Sequence, residues 1–393
     1  MSGALGTYAA ALIVLAASTA AGAGILAISG RREWSWTAPA VGLAVITMVA
    51  WWAVRLPGHG WSALVAVLLV SAALGIFAAL RLDGIGRAAR EAWPVAAALL
   101  IATAIPFAVE GHFGVLGTGF NVDMSQHLFA ASWLADQEGT APGLFEQGYP
   151  LGPHALAVAT AELTGSLTTA FSGVTIAVPL IVGLTALAGL ERWPLWRRTV
   201  AATLSAVAYL LATYFAQGAF KELFEIALLI GFALWLGELR RLGDGGLGIG
   251  LPGAVLAAGA LYAYSSPGLG WIVGTFVIWG FLELLQAEAI DVIQADPDWC
   301  GGISELTKIC NLASTFGRPV FPHGHSINAA LQVIAAQSPE TCPMAEFIWK
   351  TQPMKQWFHR DYVEPENGSI VLHARPGLGM ELDEAKIERR EEL

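Results

Sequence analysis

Charge is what this sequence has least of. Asp, Glu, Lys and Arg make up 13% of its 393 residues, about half of the roughly 25% usual in soluble domains. Cysteine is scarce as well: Cys300, Cys310 and Cys342 are the three in the chain, and no two form a CxxC pair. That excludes a zinc knuckle, a redox dithiol and a disulfide scaffold, and scattered thiols in odd number suit a reducing compartment. The 21 basic residues face 31 acidic ones, giving a net charge of -10. No basic stripe is left for nucleic acid, which is not expected as a partner. The stretch 110–168 holds neither Lys nor Arg.

What is abundant points elsewhere. Hydrophobic residues reach 55%, with 44 Gly and 15 Trp, the mix of a polytopic membrane protein whose partner is the lipid bilayer. A bilayer core of about 30 Å takes roughly 20 apolar residues in a helix. Runs of that kind fall at Ala4–Ile28, Ser35–Val54, Trp61–Leu80, Ala92–Val109, Thr169–Leu190, Thr199–Phe220, Leu223–Gly237, Leu247–Tyr264 and Leu269–Leu285. The first has no basic stretch before it, so it reads as a span and not as a cleaved signal.

Basic residues set the orientation. With nine spans and the N-terminus outside, the inner loops hold Arg31, Arg32, Arg81, Arg87, Arg90, Arg192, Arg197, Arg198, Arg240 and Arg241, and the outer loops hold Arg55 and Lys221. The same parity puts everything after Leu285 in the cytoplasm. The expected localisation is thus a multi-pass cell-membrane protein, N-terminus outside and C-terminal tail cytoplasmic.

The long outward loop 110–168 carries the polar residues of interest. Asp123 and His127 are four apart, so a helix would put them on one face, and Tyr149-Pro150-Leu151-Gly152-Pro153-His154 follows. Asp123 and His127 are the outward candidates, with His154 nearby. Glu222 and Glu225 follow Lys221 at a membrane boundary and read as solvated cap residues. With the later Ala216-Gln217-Gly218-Ala219-Phe220-Lys221-Glu222, these motifs resemble large actinobacterial membrane proteins, similar in layout to glycosyltransferases that use lipid-linked sugars. The resemblance implies an acidic residue, here Asp123, acting at the sugar acceptor, and a lipid-linked sugar as partner.

After residue 280 the texture changes. Ile290–Gln294 and Pro319–Pro322 read as short strands, each followed by a helical pattern, at Ile303–Phe316 and Ile327–Ala336. This is the spacing of parallel β/α units. Asp296 and His323 stand at the ends of the two strands, where a β/α-barrel carries its chemistry, and an Asp that orients a His is a general-base arrangement. The stretch Asp291–Ser326, the Trp357-Phe358-His359-Arg360-Asp361 run and Arg375-Pro376-Gly377 resemble the mandelate racemase and muconate lactonizing branch of the enolase superfamily, near its acid-sugar dehydratases. The resemblance implies that Asp296 and His323 form a catalytic dyad. It also implies a Mg2+ ion on three carboxylates of earlier strands, which this sequence lacks. No cofactor or metal ligand is therefore assigned, and His325 and Asp298 could not rebuild that site.

The expected fold is mainly α: a transmembrane helical bundle of about nine spans over residues 1–280, then a partial β/α-barrel remnant over 281–393, made of the last two β/α units and a C-terminal tail. Three functions stay open. One is an integral membrane protein of glycosyltransferase type with a catalytically incomplete enolase-superfamily tail. Another is a Mg-dependent dehydratase or racemase whose barrel another chain completes. The third is a non-enzymatic membrane protein, or a join of two unrelated reading frames. Substrate and oligomeric state are not legible.

Overall fold

The computed structural model describes the chain apart from residues 1–2, 118–121, 140, 142, 144–147, 243–246, 373–374 and 390–393, and apart from the side chains of 122–123, 241–242, 247 and 326. The chain divides into two compact units, residues 1–279 and 280–393.

The first unit is helical throughout its described residues. Helices α1 (Ala4–Ile28), α2 (Ala38–Ala53) and α3 (Gly60–Arg81) form an antiparallel trio. Small residues let their backbones touch. A Cβ added to Gly42 would sit 1.5 Å from the Ser18 carbonyl oxygen, and one on Gly22 would sit 1.8 Å from that of Ala38. The Ser18 hydroxyl donates to the Pro39 carbonyl at 2.5 Å across the same seam. Close approach of this kind takes the place of hydrophobic burial where the surroundings are as apolar as the helix.

Helices α4 (Ile85–Ala102) and α5 (Ile105–Glu110) follow, then α6 (Val122–Asp136), α7 (Gly152–Thr164) and α8 (Leu167–Ala186). Helix α8 is buried along nearly its whole length and is the axis of the unit. Ser166 caps it, accepting from the Thr169 amide at 3.3 Å. Helices α9 (Leu195–Ala206) and α11 (Phe220–Leu242) pack on it, joined through α10 (Tyr209–Gln217). Helix α12 (Leu251–Gln286) is interrupted at Ser265, where φ is 63° and ψ is -153°. A Cβ on Gly268 would lie 2.8 Å from the Ala260 carbonyl oxygen. Eight residues of straight helix would separate these two by about 12 Å, so the chain doubles back at the break.

The two ends of this unit differ chemically. At one end the chain after α1 pairs with the chain after α3: Trp34 N donates to Asp83 O at 3.0 Å and Asp83 N to Arg32 O at 2.7 Å. Arg31 meets Glu238 near the end of α11 at 2.5 Å, and Arg198 meets Glu91 at 3.0 Å. At the other end, the Val54 carbonyl accepts from Gln137 Nε2 at 2.8 Å, and Gly60 packs on Glu162.

The expectation of nine spans is corrected. Among the described residues, five helices are long and apolar enough to cross a membrane, or six if the bent pair α9–α10 counts as one span. Uninterrupted length and charge decide this, and a run of apolar letters reports neither. Helix α2 has 16 residues and reaches about 24 Å, short of a bilayer core of about 30 Å. The α9–α10 run bends by 50°. Helix α11 carries Lys221, Glu222, Glu225, Glu238, Arg240 and Arg241.

The second unit overturns the barrel expectation. No strand forms among its described residues; isolated bridges stand instead, with Ile293 and Val320 pairing in parallel. A parallel strand is stable when neighbours on both sides satisfy its amides and helices cover its faces. The segment at Ile293 pairs with the segment at Val320, which on its far side donates a single bond, from Val320 N to Thr341 O at 2.7 Å. Helices α13 (Ile303–Thr315) and α14 (Ile327–Ala336) pack on these segments, and α15 (Gln352–Lys355) follows. Leu285, Ile293, Leu306, Cys310, Ala313, Val320, Val333 and Cys342 make a small core. The unit is helices and loops, with no β/α-barrel remnant in it.

Candidate functional site

In the first unit, polar side chains from four segments converge. Helix α6 carries His127 and helix α7 carries His154; both are fully buried, and His154 Nε2 lies 3.0 Å from His127 Nδ1. Pro153 at the start of α7 suits a first helical turn, whose amides have no intrahelical partner. Tyr149, just before α7, faces both imidazoles at ring distances of 5.8 and 6.4 Å. Helix α11 begins with Phe220, stacked on Phe171 of α8 at 4.1 Å, and so delivers Lys221 to the same place.

Lys221 donates to the Tyr149 hydroxyl. Its ammonium lies 4.5 Å from the Tyr149 ring centre and 5.2 Å from that of Tyr264. The Tyr264 hydroxyl in turn donates to Glu222 at 3.2 Å. The turn before Phe220 is pinned by glycine: a Cβ on Gly117 would lie 1.8 Å from the Gln217 carbonyl oxygen, and one on Gly218 would lie 2.2 Å from that of Leu116. Burial holds the His154 imidazole well below its ordinary value, and the neighbouring His127 and Lys221 push it the same way. His154 is therefore neutral, and its pair with His127 is an imidazole hydrogen bond.

Asp123 lies outside the described residues as a side chain, although its backbone belongs to α6. Glu225 is not a solvated cap residue: it is 6% exposed. Sequence reasoning missed Lys221 and Tyr264 as site residues. A signal for the first was available, since Lys221 is the one lysine before residue 308.

In the second unit the Ile293–Val320 pairing aligns two chain segments. His323 N donates to Ala295 O at 2.8 Å, which brings Asp296 and His323 to the same end. They do not hydrogen-bond: His323 Nε2 and Asp296 Oδ2 are 4.0 Å apart. Glu346 instead accepts from His323 Nδ1 and from the Gly324 amide, the latter at 3.2 Å. His325 Nδ1 lies 3.4 Å from Asp296 Oδ2. Asp296 Oδ1 accepts from the Asp298 amide at 2.7 Å. Glu346 was not legible as part of this site because it stands in an irregular stretch, 23 residues beyond His323.

Asp296, His323 and His325 are the one group of potential metal ligands found among the described residues. A Mg2+ ion takes oxygen donors in near-octahedral geometry. One carboxylate and two imidazoles do not fit it, so no step through Mg2+ is derived. Helices in place of a barrel and this partial ligand set overturn the expected enolase-type tail, whether incomplete or completed by another chain.

Residues 275–386 match the enolase C-terminal domain-like family. The chain is 36% identical over 105 residues to an arabinonate dehydratase of Saccharolobus solfataricus, covering 26% of this chain and 27% of that protein. It is 36% identical over 115 residues to a D-galactarolactone cycloisomerase of Agrobacterium fabrum, covering 27% of this chain and 30% of that protein. The chain thus spans less than a third of the length of these curated relatives. No solved structure matches. The family match begins within α12 and leaves the membrane-type helices before it unmatched, and the sugar-transfer reading of those helices is not retained. What the comparisons establish is a C-terminal stretch that resembles the enolase-superfamily, mandelate racemase and muconate lactonizing type of domain at the level of the family.

Proposed function

We propose that the chain is a multi-pass membrane protein whose first unit, to about residue 280, binds an anionic head group at the Lys221 cluster. In this reading the N-terminus and the cluster face outside, the second unit is cytoplasmic, and α2 and α11, although not among the long apolar spans, also run between the two faces. The paired ends of α1 and α3 gather Arg31, Arg32, Arg81 and Arg87 at one end of the unit, with Arg198 beside Glu91 and Arg240 two residues past Glu238. Basic residues favour the cytoplasmic face. Lys221 is 17 residues before Glu238 in α11, about 25 Å away along the helix axis, toward the poorly basic end.

The single observation that carries the binding reading is the setting of Lys221. Among the described residues no carboxylate lies within ion-pairing distance of it, and two tyrosine rings hold its ammonium instead. Lys221 is half-buried, and cation–π contact of this kind contributes about 0.5–2 kcal/mol. A phosphate entering beside Lys221 and Tyr149 would supply a counter-charge. A lipid-linked phosphate, such as a lipid-linked sugar, reaches such a site from within the bilayer. The role proposed for Lys221 is binding, not transfer of the sugar.

The test uses the full chain in detergent and a polyprenyl phosphate as probe, with binding read by tryptophan fluorescence. Replacing Lys221→Met weakens binding at least tenfold, and Glu33→Gln, at the other end, leaves it unchanged. Equal binding by the Lys221→Met protein would refute the reading.

A further inference from the structure

We infer that Asp296, His323 and His325 form a binding site for a divalent transition-metal ion of the zinc class. The enolase-type chemistry rejected above requires three carboxylates; this site rests on a different donor set and on four observations.

The first is convergence. The donor atoms of the three side chains lie within 4.8 Å of one another. Donors around a tetrahedral zinc ion are about 3.3 Å apart, given bonds of about 2.0–2.1 Å. Asp296 Oδ2 and His325 Nδ1 are already at 3.4 Å, and Asp296 Oδ2 and His323 Nε2 at 4.0 Å. Small rotations of the two half-exposed imidazoles close the remainder.

The second is a pair of orphaned atoms aimed at one point. Asp296 Oδ2 and His325 Nδ1 are both buried and neither has a hydrogen-bond partner. The Asp296 side chain is 9% exposed. A buried carboxylate oxygen without a donor is costly, and its other oxygen is already engaged by the Asp298 amide. A cation at the centre of the three satisfies Oδ2 and Nδ1 together.

The third is the orientation of His323. Glu346 accepts from Nδ1, which fixes the proton there and leaves the Nε2 lone pair toward Asp296. A carboxylate behind a ligating histidine is the usual outer support of a metal site, and it sets both tautomer and ring angle. Glycine makes this support possible. A Cβ on Gly324 would lie 2.1 Å from the Glu346 carbonyl oxygen, so only glycine between the two histidines lets the Glu346 backbone come so near.

The fourth is access. His325 also lines a cavity of about 320 Å³ shared with Asp298, Asn328, Gln352, Lys355 and His359. Three protein ligands leave one position open in a tetrahedral ion, and this cavity can supply water or a small ligand to it. Two imidazoles and one carboxylate select zinc, cobalt or nickel over magnesium and calcium.

The test uses the full chain in detergent, with Cys300, Cys310 and Cys342 replaced by Ser to remove adventitious thiolate binding. After chelator treatment and dialysis against zinc, one equivalent is retained by elemental analysis, and Co2+ gives the visible absorption of a tetrahedral site. His325→Ala and Asp296→Asn abolish both signals; Glu346→Gln weakens affinity roughly 10–100-fold; His112→Ala, in the first unit, changes nothing. If Asp296→Asn does not fold, the His325→Ala protein alone decides. Failure of the parent to retain zinc, or equal retention by His325→Ala, overturns the inference. Neither outcome bears on the Lys221 site.

Discussion

His154 Nε2 and His127 Nδ1 lie 3.0 Å apart with both rings buried, and this pair sets a pH limit on the first unit. Burial lowers the His154 value first, and His127 and Lys221 lower it further. An unfolded chain takes up a proton on this residue near pH 6.5, where the folded chain does not. Stability is therefore independent of this group above about pH 6.5 and falls as the pH drops below it, by up to about 1.4 kcal/mol per unit. Thermal unfolding in detergent between pH 7.5 and 5 shows that decline, and His154→Gln flattens it. His359 in the second unit has its value lowered by burial and by Lys386, so it acts in the same direction. The difference between parent and variant isolates His154.

The seam between α1 and α2 tolerates no side chain at Gly42. A Cβ there meets the Ser18 carbonyl at 1.5 Å, so the helices must separate. Gly42→Val costs about 3 kcal/mol or more, above the usual 1–3 kcal/mol of overpacking because backbone and not a side chain is struck. Gly86, in the first turn of α4, has nothing within 4 Å. Gly86→Ala is neutral or stabilises by up to about 1 kcal/mol. Melting temperatures of the two variants, moving apart in this way, check the packing.

Arg31 and Glu238 form an ion pair at 2.5 Å with side chains 11% and 10% exposed, and Ser35 also donates to Glu238 at 2.5 Å. Glu238→Ala leaves Arg31 buried without its partner and costs about 3–5 kcal/mol. The double variant with Arg31→Met recovers part of that loss. Additive effects of the two substitutions would show that the pair does not couple.

Cys310 and Cys342 are buried with their sulfurs 3.7 Å apart. Burial first, and then the neighbouring Cys342, pushes the Cys310 thiol up to about 12; burial raises Cys342 as well. The thiolate is the reactive form. Alkylation of the native protein at pH 8 therefore modifies the half-buried Cys300 first, with Cys310 slower by at least about a hundredfold. Equal rates, read by peptide mass spectrometry, would mean that this core opens.

How far the sequence could be read follows from what each signal measures. Apolar composition marks a membrane-type helical piece, and Ala4–Ile28 is helical over the range its letters suggest. The number of spans was not legible, because a hydropathy run registers neither the short reach of α2 nor the bend between Ala206 and Tyr209. The periodicity of Ile303–Thr315 is a local property and forms a helix. The strands at Ile293 and Val320 are a non-local property. Their alternation was patterned for neighbours on both sides, and with one partner they pair as a single bridge. At the sites, His127, His154, Asp296 and His323 stood out as polar residues in telling positions. Lys221, Tyr264, Glu346 and His325 take their meaning from partners 23 to 72 residues away, which spacing alone does not reveal.

The proposed orientation puts the basic end of the first unit in the cytoplasm and its Lys221 end outside. Single cysteines placed in a background lacking the native three, probed with a membrane-impermeant maleimide on intact cells, test this directly. Leu56→Cys lies beyond the end of α2, near Val54 and Gln137. Gly86→Cys lies at the start of α4, beside the Arg32–Asp83 pairing. Labelling at position 56 in intact cells, and at position 86 only after permeabilisation, is the predicted result. The reverse pattern, or labelling at both positions in intact cells, would contradict the account.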